Sequence, residues 1–101
     1  MTVFQKIQKL VQKIPRGKIT TYGELAEALG IKDARVVGWA LHQNKDPAIP
    51  CHRVVNWAGN LASGYAFGGV KRQKEKLEKE GIKFINKFQV DLKNYLWKPI
   101  R

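Results

Sequence analysis

The sequence has few of the residues that secreted, membrane-spanning or zinc-bound proteins rely on. One cysteine and two histidines among 101 residues allow no intramolecular disulfide and are too few for a four-ligand structural zinc site. No apolar stretch approaches the roughly 18 residues of a membrane span, and Lys6, Lys9 and Lys13 interrupt any secretory signal. We therefore expect a soluble, cytoplasmic protein that needs neither a metal nor an organic cofactor.

Acidic residues are also scarce. Eight Asp and Glu stand against nineteen Lys and Arg, which gives a net charge of +11. This excess favours a polyanionic partner such as nucleic acid. The alternatives are a merely basic surface or, less favoured, an anionic membrane, because no segment combines a basic face with a large aromatic face. The length predicts one domain, residues 1–101, with one modest core.

The N-terminal pattern predicts an amphipathic helix over residues 2–14. Thr2 and Gln5 have the spacing of a capping box, and the turn-forming run Pro15–Gly17 ends the helix. Apolar residues recur at three- and four-residue steps and should form one buried face: Val3, Phe4, Ile7, Leu10, Val11 and Ile14.

The next segment has the pattern of a helix-turn-helix. Lys18–Thr21 is extended, a second capping box follows at Thr21 and Glu24, Gly30 stops the helix, and Asp33 can cap another. The two predicted helices span about 22–29 and 33–44. Two short helices joined by a tight turn often place the second against DNA, although many such pairs are purely structural.

The second half of the chain is richer in loops. Residues 45–50 hold two prolines and should form a rigid loop. We predict a hairpin from Val54–Asn56 and Leu61–Ala62, then a glycine-rich loop, Gly64–Gly69. A charged helix over 70–80 should bury Leu77, while its run from Lys71 to Lys76 forms a solvated face or touches phosphates. Six apolar residues should pack back on the core: Ile82, Phe84, Val90, Leu92, Tyr95 and Trp97.

The run Cys51-His52-Arg53 contains the elements of a thiol nucleophile. A cysteine reacts as the thiolate, so it needs a neighbouring base or cation that lowers its pKa. His52 could be that base, Arg53 adds positive charge, and Glu80 is a candidate carboxylate to orient the histidine. The alternative is a buried cysteine that acts as a small hydrophobe beside an ordinary core histidine.

Several motifs, in order, resemble those of the 6-O-alkylguanine-DNA alkyltransferases, also called methylated-DNA–protein-cysteine methyltransferases. Pro50–Val54 is similar to the family's active-site motif. Lys18–Ala26 resembles its helix-turn-helix entry, and Ala34–Asn44 resembles its recognition helix and hinge. Gly68-Gly69 followed by Glu80-Gly81 resembles its closing loop and helix. The resemblance covers about residues 3–84, which leaves a C-terminal packing tail, 85–101.

The resemblance implies a fold and a set of catalytic roles. The fold would be mainly α with a small β element, a winged-helix-like helix-turn-helix domain. Cys51 would accept the alkyl group irreversibly, His52 would act on it as base through a bound water, and Glu80 would orient that histidine. Asn44 would be the hinge asparagine, and Tyr22 would assist protonation of the leaving guanine.

The resemblance also implies how DNA is held. The recognition helix would enter the minor groove of double-stranded DNA that contains an alkylated guanine. Arg35 would enter the base stack and fill the gap left by the flipped nucleotide. Gly38 would allow close approach, although Trp39 replaces a residue that is often small in the family. Arg53 and Tyr65 are further candidates for DNA contacts, the tyrosine in a loop of unusual spacing.

Each of these residues also has an ordinary structural interpretation. Tyr22 could be an aromatic residue at a helix start, Arg35 a phosphate contact or solvated charge, and Asn44 a helix C-cap. Glu80 could form a weak surface pair with Lys76 or Lys79.

Three functional hypotheses follow. The first is a single-turnover methylated-DNA–protein-cysteine S-methyltransferase that acts as a monomer, nucleoid-associated when bound to DNA. The second is a lesion sensor, because the ending Val90–Trp97 resembles the alkyltransferase-like proteins. These bind and flip alkylguanine without transfer and flag it for nucleotide excision repair proteins. The third is a plain helix-turn-helix regulator, which would not need the Cys-His-Arg run.

Overall fold

The computed structural model describes residues 1–61 and 65–100. The helices are α1 (Val3–Val11), α2 (Tyr22–Ala28), α3 (Arg35–His42), α4 (Gly69–Lys79) and α5 (Leu92–Tyr95), with one 3-10 turn at Cys51–Arg53. The strands are β1 (Thr20–Thr21), β2 (Val54–Val55), β3 (Phe84–Asn86) and β4 (Gln89–Val90). Within the described ranges, no helix has the length and apolar content needed to cross a membrane. The mainly helical fold with a small β element is confirmed.

Helix α1 begins at the predicted capping box. The Gln5 backbone N–H donates to Thr2 Oγ1 (3.1 Å), and the Thr2 N–H donates to Gln5 Oε1 (2.9 Å). The helix ends at Val11 and not at residue 14, and the chain then turns so that Ile14 still reaches the core. The predicted apolar face is buried only in its later part, because Val3 and Phe4 are exposed.

Helices α2 and α3 form the predicted helix-turn-helix. The Glu24 N–H donates to Thr21 Oγ1 (3.1 Å), and α2 gives way to a turn at Gly30, whose φ is +70°. The Asp33 carboxylate accepts the Arg35 backbone N–H (2.9 Å) at the start of α3, as its capping role predicted. These helices pack with α1 around a first core cluster, which includes Ile7, Val11, Leu25, Ala26, Val37, Ala40 and Leu41.

The predicted hairpin at 54–62 is wrong. Val54 and Val55 pair in parallel with Thr20 and Thr21, and Ala62 lies outside the described residues. Both valines are completely buried, so this strand is covered on both faces, as short parallel strands usually are. The hairpin of this fold is formed by β3 and β4 instead, with Phe84 opposite Val90.

The C-terminal segment packs back on the body of the protein, as predicted. Leu77, Ile82 and Val90 are buried in a second core cluster, which also contains Val55. The tail is fixed to the extended segment before β1, because the Trp97 N–H donates to the Ile19 carbonyl (2.7 Å). This packing fixes the position of α4 and of Glu80, the residue that caps its C-terminal end.

We predict that Gly59→Ala destabilises the fold more than Gly30→Ala. Both glycines have positive φ, but a Cβ at Gly59 would lie 2.3 Å from the Val90 carbonyl oxygen, whereas one at Gly30 would meet nothing within 4 Å. The Gly30 variant should lose about 1 kcal/mol of unfolding free energy from backbone strain alone. The Gly59 variant must also displace β4. Urea unfolding of both variants measures this difference, and equal losses would contradict it.

Candidate active site and nucleic-acid interface

The single cysteine lies in the wall of a cavity. Cys51 begins the 3-10 turn after Pro50, and only 5% of its surface is exposed. The cavity beside it measures about 390 Å³, within the range of small-molecule sites. Its lining residues come from α2, α3, the 3-10 turn, the segments after β2 and before α4, and α4 itself: Tyr22, Gly38, Leu41, His42, Cys51, Asn56, Leu61, Tyr65, Ala66 and Gln73.

Asn44 holds the cysteine sulfur. Its Nδ2 donates to Cys51 Sγ (3.2 Å) and to the Asp46 carbonyl (2.9 Å), and its Oδ1 accepts the Asp46 N–H (3.0 Å). The Asp46 N–H fixes the orientation of the amide, so that the N–H side faces the sulfur. Asn44 therefore ties the loop after α3 to the nucleophile and favours the thiolate over the thiol.

His52 and Arg53 converge on one carboxylate. His52 Nε2 lies 2.8 Å from Glu80 Oε2, Arg53 Nη2 donates to the same oxygen (2.7 Å), and Arg53 Nε donates to Glu80 Oε1 (2.9 Å). Arg53 Nη1 also donates to the Ile14 carbonyl (2.8 Å). The Glu80 side chain is only 7% exposed. The cluster is therefore a buried network, unlike the surface pair with Lys76 or Lys79 considered above.

The electrostatics of the site keep both the Cys51 thiol and the His52 imidazole neutral at rest. Burial raises the pKa of the Cys51 thiol, against the opposing effects of Asn44 and Lys76. Burial also lowers the pKa of His52, although Glu80 opposes this shift. His52 is thus neutral at pH 7, with Nε2 donating to Glu80 and the lone pair on Nδ1 able to accept a proton.

Tyr22 is the first residue of α2 and lines the same cavity as Cys51. Burial and the nearby Cys51 raise the pKa of its hydroxyl to about 12. The phenol therefore stays protonated over the physiological range and can donate a hydrogen bond to a base in the cavity.

The sequence predicts that the run from Lys71 to Lys76 in α4 forms a solvated face or touches phosphates. A solvated face is wrong for two residues of this run, which line or support the site. Gln73 is 1% exposed; its Nε2 donates to the His52 and Val54 carbonyls, and its Oε1 has no partner among the described residues. Lys76 is half-buried and its Nζ donates to Tyr65 Oη (2.6 Å). Gln73 is one helical turn from the buried Leu77, but this spacing alone does not mark a glutamine as buried.

The outer face of α3 is exposed beside the cavity. Arg35, Gly38, Trp39 and His42 recur at helical spacing, opposite the buried Val37, Ala40 and Leu41. The Arg35 side chain is 78% exposed, and Trp39 is 58% exposed. Asp33 holds the guanidinium, with Arg35 Nη2 2.8 Å from its Oδ2. An exposed pair of this kind is weak, so Arg35 can leave it for another partner.

Gly38 is not explained by packing within the protein. A Cβ at this position would meet nothing within 4 Å, and a glycine inside a helix costs roughly 0.5–1 kcal/mol relative to alanine. A close approach by a ligand would account for it, since Gly38 also lines the cavity.

Residues 2–82 match the family described as 6-O-methylguanine DNA methyltransferase, DNA binding domain. This chain belongs to that family. Its members include Alkyltransferase-like protein 1 of Schizosaccharomyces pombe, 36% identical over 95% of this chain and 94% of its own. The methylated-DNA–protein-cysteine methyltransferase of Thermococcus kodakarensis is 41% identical over 82% of this chain and 47% of its own length.

Solved structures of the family have the same fold. The S. pombe protein Atl1, in complex with damaged DNA containing O6-carboxymethylguanine, superposes with a TM-score of 0.83 at 36% identity, over 95% of this chain and 94% of that one. The chain therefore matches the alkyltransferase-like relative over nearly its whole length. It spans about half the length of the methyltransferase.

The structure brings most of the predicted family residues together. Cys51 and Tyr22 line the cavity, Asn44 donates to the Cys51 sulfur, and His52, the residue after Cys51, is bound to Glu80. Tyr65 lines the cavity at 8% exposure. Arg35, Gly38 and Trp39 lie on the outer face of α3. Arg53 is placed differently from the prediction of a DNA contact, because its side chain is only 15% exposed and its guanidinium is bound to Glu80.

We predict that Glu80→Gln lowers the unfolding free energy at pH 7 by about 3 kcal/mol, because the variant leaves the buried Arg53 without its counter-charge. The contacts from Arg53 and His52 outweigh burial and hold the pKa of Glu80 below its ordinary value of 4.5. Its stabilising effect is therefore complete above pH 4.5 and is lost as the pH falls through the lowered pKa.

Denaturant unfolding from pH 7 to pH 3 measures this difference. Glu78→Gln is the matched control, because Glu78 is exposed on the same helix, and it should change stability little. A gap between wild type and Glu80→Gln that stays constant down to pH 3 would contradict the prediction.

Gly38→Ala should stabilise the fold while weakening DNA binding. We expect the unfolding free energy to rise by about 0.5–1 kcal/mol, because the new methyl group meets no atom of the protein. The same methyl group would obstruct a DNA backbone or base approaching α3. Thermal unfolding and duplex affinity, measured on the same sample, test the two directions. A loss of stability would mean that Gly38 serves the fold.

Proposed function

We propose that this protein extrudes 6-O-alkylguanine from double-stranded DNA and transfers the alkyl group irreversibly to Cys51. The observation that supports transfer most directly is the thiol in the cavity wall, held by Asn44 and adjacent to the His52–Glu80 pair. A site that only bound the lesion would need neither a thiol nor a buried base.

The chemistry uses residues already in position. His52 Nδ1 takes the thiol proton through one water molecule, while Glu80 stabilises the resulting imidazolium. The Cys51 sulfur attacks the alkyl carbon and forms the S–C bond. The C–O bond breaks, and its electron pair goes to the guanine, whose charge the Tyr22 hydroxyl stabilises by hydrogen bonding. The guanine then takes up a proton, so the products are guanine and an S-alkyl cysteine.

DNA binding precedes this step. The net charge of +11 attracts the duplex and makes binding dependent on salt. The outer face of α3 enters the minor groove of the DNA. Arg35 then leaves Asp33 and occupies the space of the extruded nucleotide. This insertion offsets part of the few kcal/mol that unstacking costs.

A non-enzymatic lesion sensor is the second candidate. The observation that favours it is the near full-length match to the S. pombe alkyltransferase-like protein, whose crystal structure contains damaged DNA. In that role the protein would hold the alkylguanine without transfer and would recruit nucleotide excision repair proteins. The raised pKa of Cys51 would then reflect a buried thiol that never reacts.

Intact-protein mass spectrometry distinguishes the two functions. After incubation with a duplex containing one 6-O-methylguanine, we expect the protein to gain one methyl group at Cys51. Cys51→Ala should gain none and should still prefer the damaged duplex. An unchanged wild-type mass with selective binding would establish the sensor, and absence of selectivity would contradict both.

The rate of transfer should depend on pH through His52. Because burial lowers the pKa of this histidine below its ordinary 6.5, the base is neutral and the rate steady near pH 7. The rate should fall as the pH drops through the lowered pKa, because the protonated ring cannot accept the thiol proton. Single-turnover rates from pH 5 to pH 8 test this. A fall that begins above pH 6.5 would contradict it.

A further inference from the structure

A second cleft, on the outer face of the protein, adjoins the cavity beside Cys51. We call the latter the lesion cavity, because it would hold the alkylguanine in the proposed function. The second cleft measures about 320 Å³ and is lined almost wholly by carbon atoms. Tyr22, Gly38 and Asn56 form part of its wall and also line the lesion cavity, so the two recesses are neighbours. The remaining lining residues are Gly23, Ala34, Arg35 and Trp57.

Trp57 is the unusual member of this cleft. It is 85% exposed, whereas tryptophan is generally among the more buried side chains. Tryptophan is enriched at binding interfaces because its large ring offers much contact area, and this one stands beside a recess. Trp57 is also not a member of either core cluster. Its exposure is therefore better explained by a ligand than by folding.

The backbone that presents Trp57 is firmly organised. Asn56 Oδ1 accepts the N–H groups of Ala58 and Asn60, each at 2.9 Å. The Asn56 carbonyl accepts the Gly59 N–H at 2.9 Å, and the Asn56 N–H donates to the Asn60 carbonyl at 3.0 Å. A tight turn of this kind fixes the direction in which the Trp57 side chain leaves the backbone, which lowers the backbone entropy lost when a ligand binds.

The chemistry of the cleft suits a nucleoside. A flat aromatic ring offers a stacking surface for any base, and the apolar walls suit the ring of a deoxyribose. Arg35, which lines the cleft, is the residue proposed above to enter the base stack, so this recess would lie next to the extruded nucleotide. Gly38 leaves room for the sugar-phosphate chain to pass between the two recesses.

We propose that this cleft binds the nucleotide next to the extruded guanine on the damaged strand, with Trp57 stacked on its base. The proposal rests on the function proposed above. It adds a second nucleotide site that holds the strand while the lesion occupies the cavity beside Cys51. Trp57 is a binding residue in this scheme and has no part in the transfer of the alkyl group.

A thermodynamic cycle between protein and DNA tests this assignment. The probes are duplexes with one 6-O-methylguanine and either normal neighbours or a single abasic tetrahydrofuran residue. The abasic residue lies 5′ to the lesion, 3′ to it, or opposite it. Affinities are measured for wild type, Trp57→Ala and Trp57→Phe. Ile85→Ala, which removes another exposed apolar side chain, is the control and should change no affinity by more than about twofold.

We expect Trp57→Ala to weaken binding to the normally flanked lesion by about tenfold, as loss of one stacked base predicts. With an abasic residue at one of the two flanking positions, the loss should shrink to about twofold or less. Trp57→Phe should retain most of the affinity. The proposal is overturned if the Trp57→Ala loss is the same on every duplex, if it disappears only with the opposite-strand abasic residue, or if Trp57→Phe loses as much as Trp57→Ala.

The test separates this proposal from the function on which it rests. If the wild-type protein does not prefer the methylated duplex, the proposed function fails first. If it prefers that duplex and methylates Cys51, but the cycle shows no coupling, only the second nucleotide site fails.

Discussion

The buried Glu80 carboxylate is the interaction on which the rest of the site depends. It receives Arg53 through both of its oxygens and His52 through one. Arg53 extends the network to the Ile14 carbonyl after α1. The Glu80 carboxylate thus links the end of α4 to the 3-10 turn that holds Cys51, and Arg53 links both to the segment after the N-terminal helix. Buried charges are stable only when paired, so the three segments are locked in one arrangement.

This arrangement sets the chemistry by burial as much as by charge. The same covering of the site raises the pKa of the cysteine thiol and lowers that of His52. Each shift favours the neutral form of its group, which leaves an intact thiol facing an unprotonated base. Asn44 then offers an N–H to the sulfur, which favours the thiolate when the proton leaves.

Residues that interact with near neighbours were predictable from the sequence. Of the distant contacts in the site, the His52–Glu80 pair was predicted with the help of the family resemblance, and the others were not. The capping box of Thr2 and Gln5 needs residues only three positions apart. The partner of Arg53, by contrast, lies 27 positions away, and a lone arginine in a basic chain resembles any surface charge. Gln73 was missed for a similar reason. Its neighbours in sequence are charged, and only the packing of α4 against the 3-10 turn buries it.

The sequence by itself determined the family and pointed to the residues of the candidate site. The run Pro50–Val54, the helix-turn-helix signals before it and the excess of basic residues are local or compositional features, and they do not depend on folding. The tertiary structure alone decided the parallel pairing of Val54 and Val55, the burial of Gln73, and the cleft beside Trp57. These features arise where segments far apart in the chain meet, because burial and pairing depend on which surfaces come together and not on the residues of one segment.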